Sequence, residues 1–340
     1  MLAVPTFCRH NRLVQNCPIC SKEQQIEMRA VVSSSAPAAS RPRTPASTSN
    51  PGGATRRTSG PSSPGRGRGE RGVRVRRLAR GADDGFHSGL VPGLKSSEDA
   101  ERLAEEIAFS ATRLRLLADE PPGPYAEVAA GDDVDERTWL AFLIAYLGPV
   151  DGEEPFASIE RARTTWSSGQ EPAFEGITPG PRSAFDAAHP MRAVEAYRAW
   201  AGRAGSQAAA FTGEASWNPE RRFARVFERL ALPGFHRDAR FELLVMLGRL
   251  GVYELRAGGL QFGGENEVTV AAKRSLGIGD PILLERRASD LAGECAIELD
   301  VLDVALHNWG RGQRSGFGID VDAEPDPVVL DAVRDALGLG

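Results

Sequence analysis

The run Leu232-Pro233-Gly234-Phe235-His236-Arg237-Asp238-Ala239-Arg240, continuing into Phe241-Glu242-Leu243-Leu244-Val245-Met246-Leu247-Gly248, decides the fold. Before it, Phe223, Val226, Phe227 and Leu230 recur at i, i+3, i+4 and i+7, which predicts a helix with one apolar face. Arg221, Arg222, Arg225 and Arg229 take most of the other positions. Pro233-Gly234 breaks that helix, and the stretch that follows is almost wholly apolar, as a buried helix would be. Two helices joined by a tight Pro-Gly turn (residues 232–240) outline a helix-hairpin-helix. Gly234 lets the chain turn without a Cβ in the way. The first amides of the second helix are then free to meet an anion, commonly a nucleic-acid phosphate. The same residues also suit a plain packing corner, so the motif alone leaves both readings open.

The charge distribution bears on that choice. Residues 1–80 hold 15 basic and 3 acidic side chains, a net of +12, whereas the remainder holds 26 and 43, a net of −17. A body that acidic repels nucleic acid unless it carries a local basic surface or a basic tail. Residues 221–287 supply the first, with 12 basic against 8 acidic side chains, and the N-terminal segment supplies the second. The 340 residues leave room for one sizeable core and a second unit. The start of the chain lacks the pattern of a secretory signal. Its longest apolar stretch, Trp139 to Leu147, is too short to span a bilayer. A cytoplasmic protein, nucleoid-associated if bacterial and without membrane contact, is the expectation.

Cys8-Arg9-His10 and Cys17-Pro18-Ile19-Cys20 place four soft or borderline ligands at knuckle spacing. Cys8, His10, Cys17 and Cys20 fit a closed tetrahedral zinc site, structural rather than catalytic. A fragment of some 27 residues has no core of its own and needs the metal to fold. Residues 28–90 read as a Ser/Pro/Arg/Gly-rich linker that cannot bury enough surface to order itself. Gly65-Arg66-Gly67-Arg68-Gly69 and the arginines from Arg71 to Arg77 make it a polycation suited to phosphates. A coil of about 50 such residues reaches on the order of 40 Å.

Residues 91–340 form the expected folded body. Ser97 is placed to cap a helix along which Ala100, Leu103, Ala104, Ile107, Ala108 and Ala111 repeat. Pro121 to Pro124 ends it, Thr138 to Leu147 makes a core helix, and shorter helices are expected near Ala157–Trp166 and Arg192–Trp200. Gly258 to Gly264 reads as a loop with a small strand pair. Asp280-Pro281 carries the N-cap and N1 signature of a further helix, and a last helix starts at Asp326. The fold class is therefore mainly α.

Residues 217–312 resemble the core of the helix-hairpin-helix DNA glycosylases of the endonuclease III type. Leu232-Pro233-Gly234 carries that likeness, with Ser275-Leu276-Gly277 and the helices as far as Trp309. The departures matter. The second hairpin glycine of that family is His236 here, and the lysine of its bifunctional members corresponds to Asp238. The catalytic aspartate position falls on Asn266, between Glu265 and Glu267. The body, taken with the Cys-x-His-Asn and Cys-Pro-x-Cys start, is more closely similar to the clade 3 α-glutamyl/putrescinyl thymine pyrophosphorylase group. That resemblance implies DNA as partner and displacement of pyrophosphate from a 5-hydroxymethyl-pyrimidine by an amine or amino acid. It also implies a base turned out of the stack.

On this reading Glu265, Glu267 and Asn266 are the candidate catalytic positions, a glutamate serving as general base. Gly234, His236, Arg237, Arg240, Lys273 and Arg274 are the candidate phosphate contacts. A repair-type glycosylase and a non-catalytic DNA-binding protein are the alternatives, and His236, His307 and Asn308 are further candidates to line a pocket. The knuckle generates the first prediction. The purified chain should carry about one zinc per molecule, and Cys17→Ser with Cys20→Ser should abolish it, as read by elemental analysis.

Overall fold

The structure, a computed structural model, describes residues 81–319 and 324–340. The expected zinc ligands Cys8, His10, Cys17 and Cys20 lie outside the described residues, as does the linker up to Arg80. Twelve helices make up the described chain: α1 (Ser97–Asp119), α2 (Pro124–Ala130), α3 (Val134–Leu147), α4 (Ala157–Ala162), α5 (Arg192–Ala204), α6 (Gln207–Thr212), α7 (Pro219–Arg229), α8 (Arg237–Arg249), α9 (Glu267–Leu276), α10 (Pro281–Glu294), α11 (Leu299–Arg311) and α12 (Pro327–Leu337). The described residues hold no strand, so Gly258 to Gly264 is a loop and the expected strand pair does not form. None of these helices is long and apolar enough to cross a membrane.

The helices sort into two packed groups. In one, α11 lies against α1, α9 and α10, and α12 covers α1. In the other, α3 is the centre, touching α2, α4, α6 and α8, while α5 packs on α6 and α7 joins α6 to α8. Helix α1 also touches α8 and so ties the groups together. All ten residues from Thr138 to Leu147 of α3 are buried, as a wholly apolar helix requires. Around it Trp139, Phe142, Tyr197 and Phe235 stack, with Phe142 and Tyr197 ring centroids 4.0 Å apart.

Helix starts follow side-chain chemistry. Asp133, Ser206, Asn218, Asp280 and Asp326 each accept from first-turn amides of the helix they precede. The cap of α1 is Ser96 rather than Ser97, whose hydroxyl instead meets Asp84 Oδ2 at 2.5 Å. That contact belongs to a larger difference. Residues 81–90, read from composition as the end of the linker, lie on the body, because Phe86 and Leu90 give them apolar side chains to pack on the core.

Gly93 continues this strap and donates its N–H to Ser275 O at 3.0 Å. A Cβ at Gly93 would sit 2.1 Å from Arg274 O and 2.8 Å from Gly277 N, both backbone atoms. Gly93→Ala should therefore destabilise the chain by about 2 kcal/mol through overpacking, measured as a lowered urea midpoint with unchanged slope.

Candidate functional site

The hairpin forms as its residues dictate. Helix α7 ends at Leu230, and Gly234 adopts a φ of 78°, which L side chains rarely take. The Phe235 N–H donates to Leu232 O at 3.1 Å, closing the turn. The Phe235 ring is buried 5.2 Å from Phe142, so the corner is anchored in the aromatic core. Pro233 and His236 remain exposed, and His236 offers no side-chain bond to the first-turn amides of α8. The corner thus reaches the surface.

Helix α8 nevertheless turns its first charged residues inward. Arg237 is only 6% exposed. Its Nη1 lies 2.5 Å from Asp303 Oδ1 and 3.2 Å from Asp238 Oδ1, and its Nη2 donates to Leu260 O. Arg182, from the segment before α5, reaches Glu242 through Nε at 2.8 Å and Asp303 through Nη2 at 2.6 Å. His307 Nδ1 stands 3.4 Å from Asp238 Oδ2. All six side chains are buried.

Three carboxyls thus face two guanidiniums, and the imbalance sets the protonation. Burial pushes the Glu242 carboxyl up to about 7, with Asp238 and Asp303 adding repulsion that Arg182 only partly offsets. Burial acts to raise Asp238 too, but the His307 hydrogen bond and the Arg182 and Arg237 charges outweigh it and hold Asp238 well below the carboxylate range. Burial lowers His307, favouring the neutral ring despite Asp238. With Glu242 protonated the cluster is balanced.

A cleft of about 420 Å³ opens between the hairpin and the loop after α8. Phe227, Glu228 and Ala231 form one wall, Gln261, Phe262 and Gly263 another, with Arg237, Arg240 and Glu285 between them. Glu285 shapes the loop by accepting N–H bonds from Leu260 at 2.8 Å and Phe262 at 2.9 Å. The residue between them, Gln261, takes a φ of 52°, a strained conformation for a non-glycine and one that accumulates at ligand sites. Arg240 stacks over the Phe227 ring at 4.4 Å and donates to Phe227 O at 3.2 Å. Burial, with Arg237 nearby, lowers its pKa.

The loop expected to carry catalysis sits beside this cleft without lining it. Glu265 and Glu267 are exposed, Glu267 lying 3.8 Å from Arg311. Asn266 is the N-cap of α9: its Oδ1 accepts from Thr269 N at 2.9 Å and its Nδ2 donates to Gly263 O at 2.5 Å. An amide suits that double task, since a carboxylate has no proton to give Gly263. Lys273 faces solvent. Arg274 is committed to Asp99 at 2.9 Å and to the Trp309 ring at 4.4 Å. Asn308 is buried and accepts from Ser315 N at 3.0 Å.

Of the expected cations, then, the structure brings Arg237 and Arg240 together at one cleft. Sequence reasoning missed Arg182, Glu242, Asp303, Gln261 and Glu285. Glu242 and Asp303 left a signal, each a lone carboxyl inside an apolar helical run. Arg182, in a turn-rich segment, left none.

A larger cavity, about 570 Å³, lies by α2 and α3. Several of its charged groups are already engaged: Glu136 accepts from the Trp166 and Ser167 amides and Glu127 pairs with Arg163. Comparison with known proteins bears on one of the two cavities. Residues 182–315 match the family model described as alpha-glutamyl/putrescinyl thymine pyrophosphorylase clade 3. The matched segment opens on Arg182 itself and contains the whole ionic cluster and the whole hairpin cleft, while the larger cavity falls outside it. No curated protein and no solved structure matches the chain.

The ionic cluster makes folding pH-dependent. Glu242 keeps its proton in the folded chain up to about 7, whereas its ordinary value is 4.5. The stability it contributes is complete below the ordinary value and lost as pH rises through about 7. Asp238 acts oppositely, its contribution being present above 3.8 and lost on acidification. Glu242→Gln should flatten the decline in stability from about pH 6 to about pH 8. Arg182→Met, which strands the carboxyls, should cost about 3 to 5 kcal/mol. Urea titrations at several pH values check both.

Proposed function

We propose that the chain acts on DNA as a base-modifying transferase. A 5-hydroxymethyl-pyrimidine carrying pyrophosphate is its substrate, and an amine or amino acid displaces the pyrophosphate. The observation that carries this reading is the match of residues 182–315, which encloses the hairpin and its cleft. In the reaction the donor nitrogen forms a bond to the 5-methylene carbon with its lone pair. The carbon–oxygen bond to pyrophosphate breaks, and pyrophosphate leaves with that electron pair. The donor's spare proton passes to a general base. Glu228, exposed at the cleft, and Glu265, on the adjoining loop, are the carboxylates available for it.

The base would be extruded from the stack before reacting, as the likeness to helix-hairpin-helix glycosylases also suggests. The exposed turn at Gly234 and His236, with Lys273, would meet the DNA backbone. Arg240 would steady the charge that develops as the anionic group moves. Cys8, His10, Cys17 and Cys20 would hold a structural zinc, and the basic N-terminal segment would add salt-dependent affinity for DNA.

Incubation of the full chain with DNA containing the pyrophosphorylated base, plus either putrescine or L-glutamate, tests the reading. Mass spectrometry of digested nucleosides should show the amine adduct, with release of pyrophosphate, and Arg240→Gln should slow its formation about 100-fold. Free base in the supernatant would instead mark a glycosylase. DNA retained on the protein with no change in mass would mark a non-catalytic binder.

A further inference from the structure

We infer that the corner between α9 and α10 is a duplex-DNA contact in which Ile282 enters the base stack as an apolar wedge, with Lys273 and Arg286 on the flanking phosphates. This rests on the DNA reading above and adds to it a contact with the stacked bases. Ile282 and Leu283 are 80% and 47% exposed, and Val270 of α9 is 49% exposed. A single exposed apolar side chain needs no explanation, but two in succession on a fixed scaffold form a patch that a partner would cover. The scaffold here is firm. Pro281 opens α10, and Asp280 Oδ1 accepts the Ile282 and Leu283 amides, each at 3.0 Å.

The surroundings carry the charge that DNA requires. Lys273, Arg274, Arg286 and Arg287 face only Asp280 and Glu285 between positions 273 and 287, in a body that is otherwise strongly acidic. Both carboxylates are occupied by main-chain donors, Asp280 by its own helix and Glu285 by the Leu260 and Phe262 amides. Lys273 and Arg286 are exposed, and neither makes a side-chain hydrogen bond or ion pair among the described residues. Arg286 follows Ile282 by four positions and so shares its face of α10. Glu285, three positions on, lines the hairpin cleft, which sets the wedge one helical turn from that cleft. The corner is open to an approaching DNA backbone: Gly277 and Gly279 are exposed, and a Cβ at Gly279 would meet nothing within 4 Å. Gly81 and Arg274 line one small cavity, so the segment carrying Arg71, Arg74, Arg76, Arg77 and Arg80 joins the body beside the end of α9. Cations for phosphates and a rigid aliphatic side chain that can part a base step suit a duplex. A second copy meeting the same patch across a two-fold axis would bring these cations against their own kind.

The test uses the full chain and a short duplex with 2-aminopurine at a flexible pyrimidine–purine step, where the probe brightens as stacking is lost. Binding should raise the fluorescence about 2-fold or more, and Ile282→Ala should remove at least about half of that rise. The same variant should weaken binding by less than about 10-fold, since the cost of unstacking disappears with the wedge. Ile282→Leu, which keeps an aliphatic wedge, should preserve the rise. Lys273→Gln with Arg286→Gln should lower the slope of log affinity against log salt by about 0.9 for each cation removed. Val328→Ala, at a position 76% exposed on α12, should change neither reading. Thermal melts establish that each variant is folded, and Ile282→Ser replaces Ile282→Ala if the latter is not. No binding of the duplex, binding without a rise, a rise unmoved by the folded Ile282 variant, or an unmoved salt slope would each overturn the inference. A dimer in sedimentation that Ile282→Ala dissociates would overturn it too and assign the corner to a second copy. The transfer assay keeps the two claims apart. Amine adduct formed by a chain that leaves the stack intact refutes the wedge and keeps the transfer reading. Unstacking that depends on Ile282, with no adduct, supports the wedge and refutes the transfer.

Discussion

Two guanidiniums and three carboxyls buried at the meeting of two helix groups constrain this molecule more than any other contact. A charge taken out of water is tolerable only beside its counter-charge, and removing one partner strands the others. Arg182 binds the segment before α5 to both α8 and α11, and Arg237 binds the start of α8 to α11. A second tie, Arg249 Nε to Asp300 Oδ2 at 2.7 Å, joins the opposite end of α8 to the start of α11. Helices α8 and α11 are thereby held in one relation by ionic contacts along the length of α8.

The cleft inherits its shape from this junction. Arg237 is both a member of the cluster and part of the cleft lining, and its bond to Leu260 O fixes where the opposite loop begins. Glu285 holds the same loop from α10. On the hairpin side Phe235 is wedged against Phe142. Both walls are thus tied to rigid elements, which lets Gln261 be held in a conformation that a free loop would relax.

Much of this was legible in the sequence. The apolar repeat of α1, the unbroken apolar run of α3, and the Asp280-Pro281 start of α10 each predicted the helix that formed, because spacing and capping are local properties. Pro233-Gly234 likewise placed the turn between α7 and α8. Less legible were the short helices α2 and α6, too brief to show a period, and the ordered strap of residues 81–90, whose two apolar side chains are hidden in a basic, glycine-rich context. Asn266 stands out in the sequence for the residue it replaces; its capping role follows from where Gly263 and Thr269 lie.

The sequence by itself determined a mainly helical body, a hairpin at Leu232 to Arg240, and a polar, arginine-rich neighbourhood around it. Tertiary structure alone decided what each arginine does. Arg237 and Arg240 are three residues apart in the same helix and read alike in one dimension. One meets Asp303, sixty-six residues on, and is neutralised inside the protein; the other finds no carboxylate and faces the cleft. Periodicity reports which side of a helix is apolar, but the pairing of a charge depends on which distant carboxylate the fold carries to it, and that information is not local.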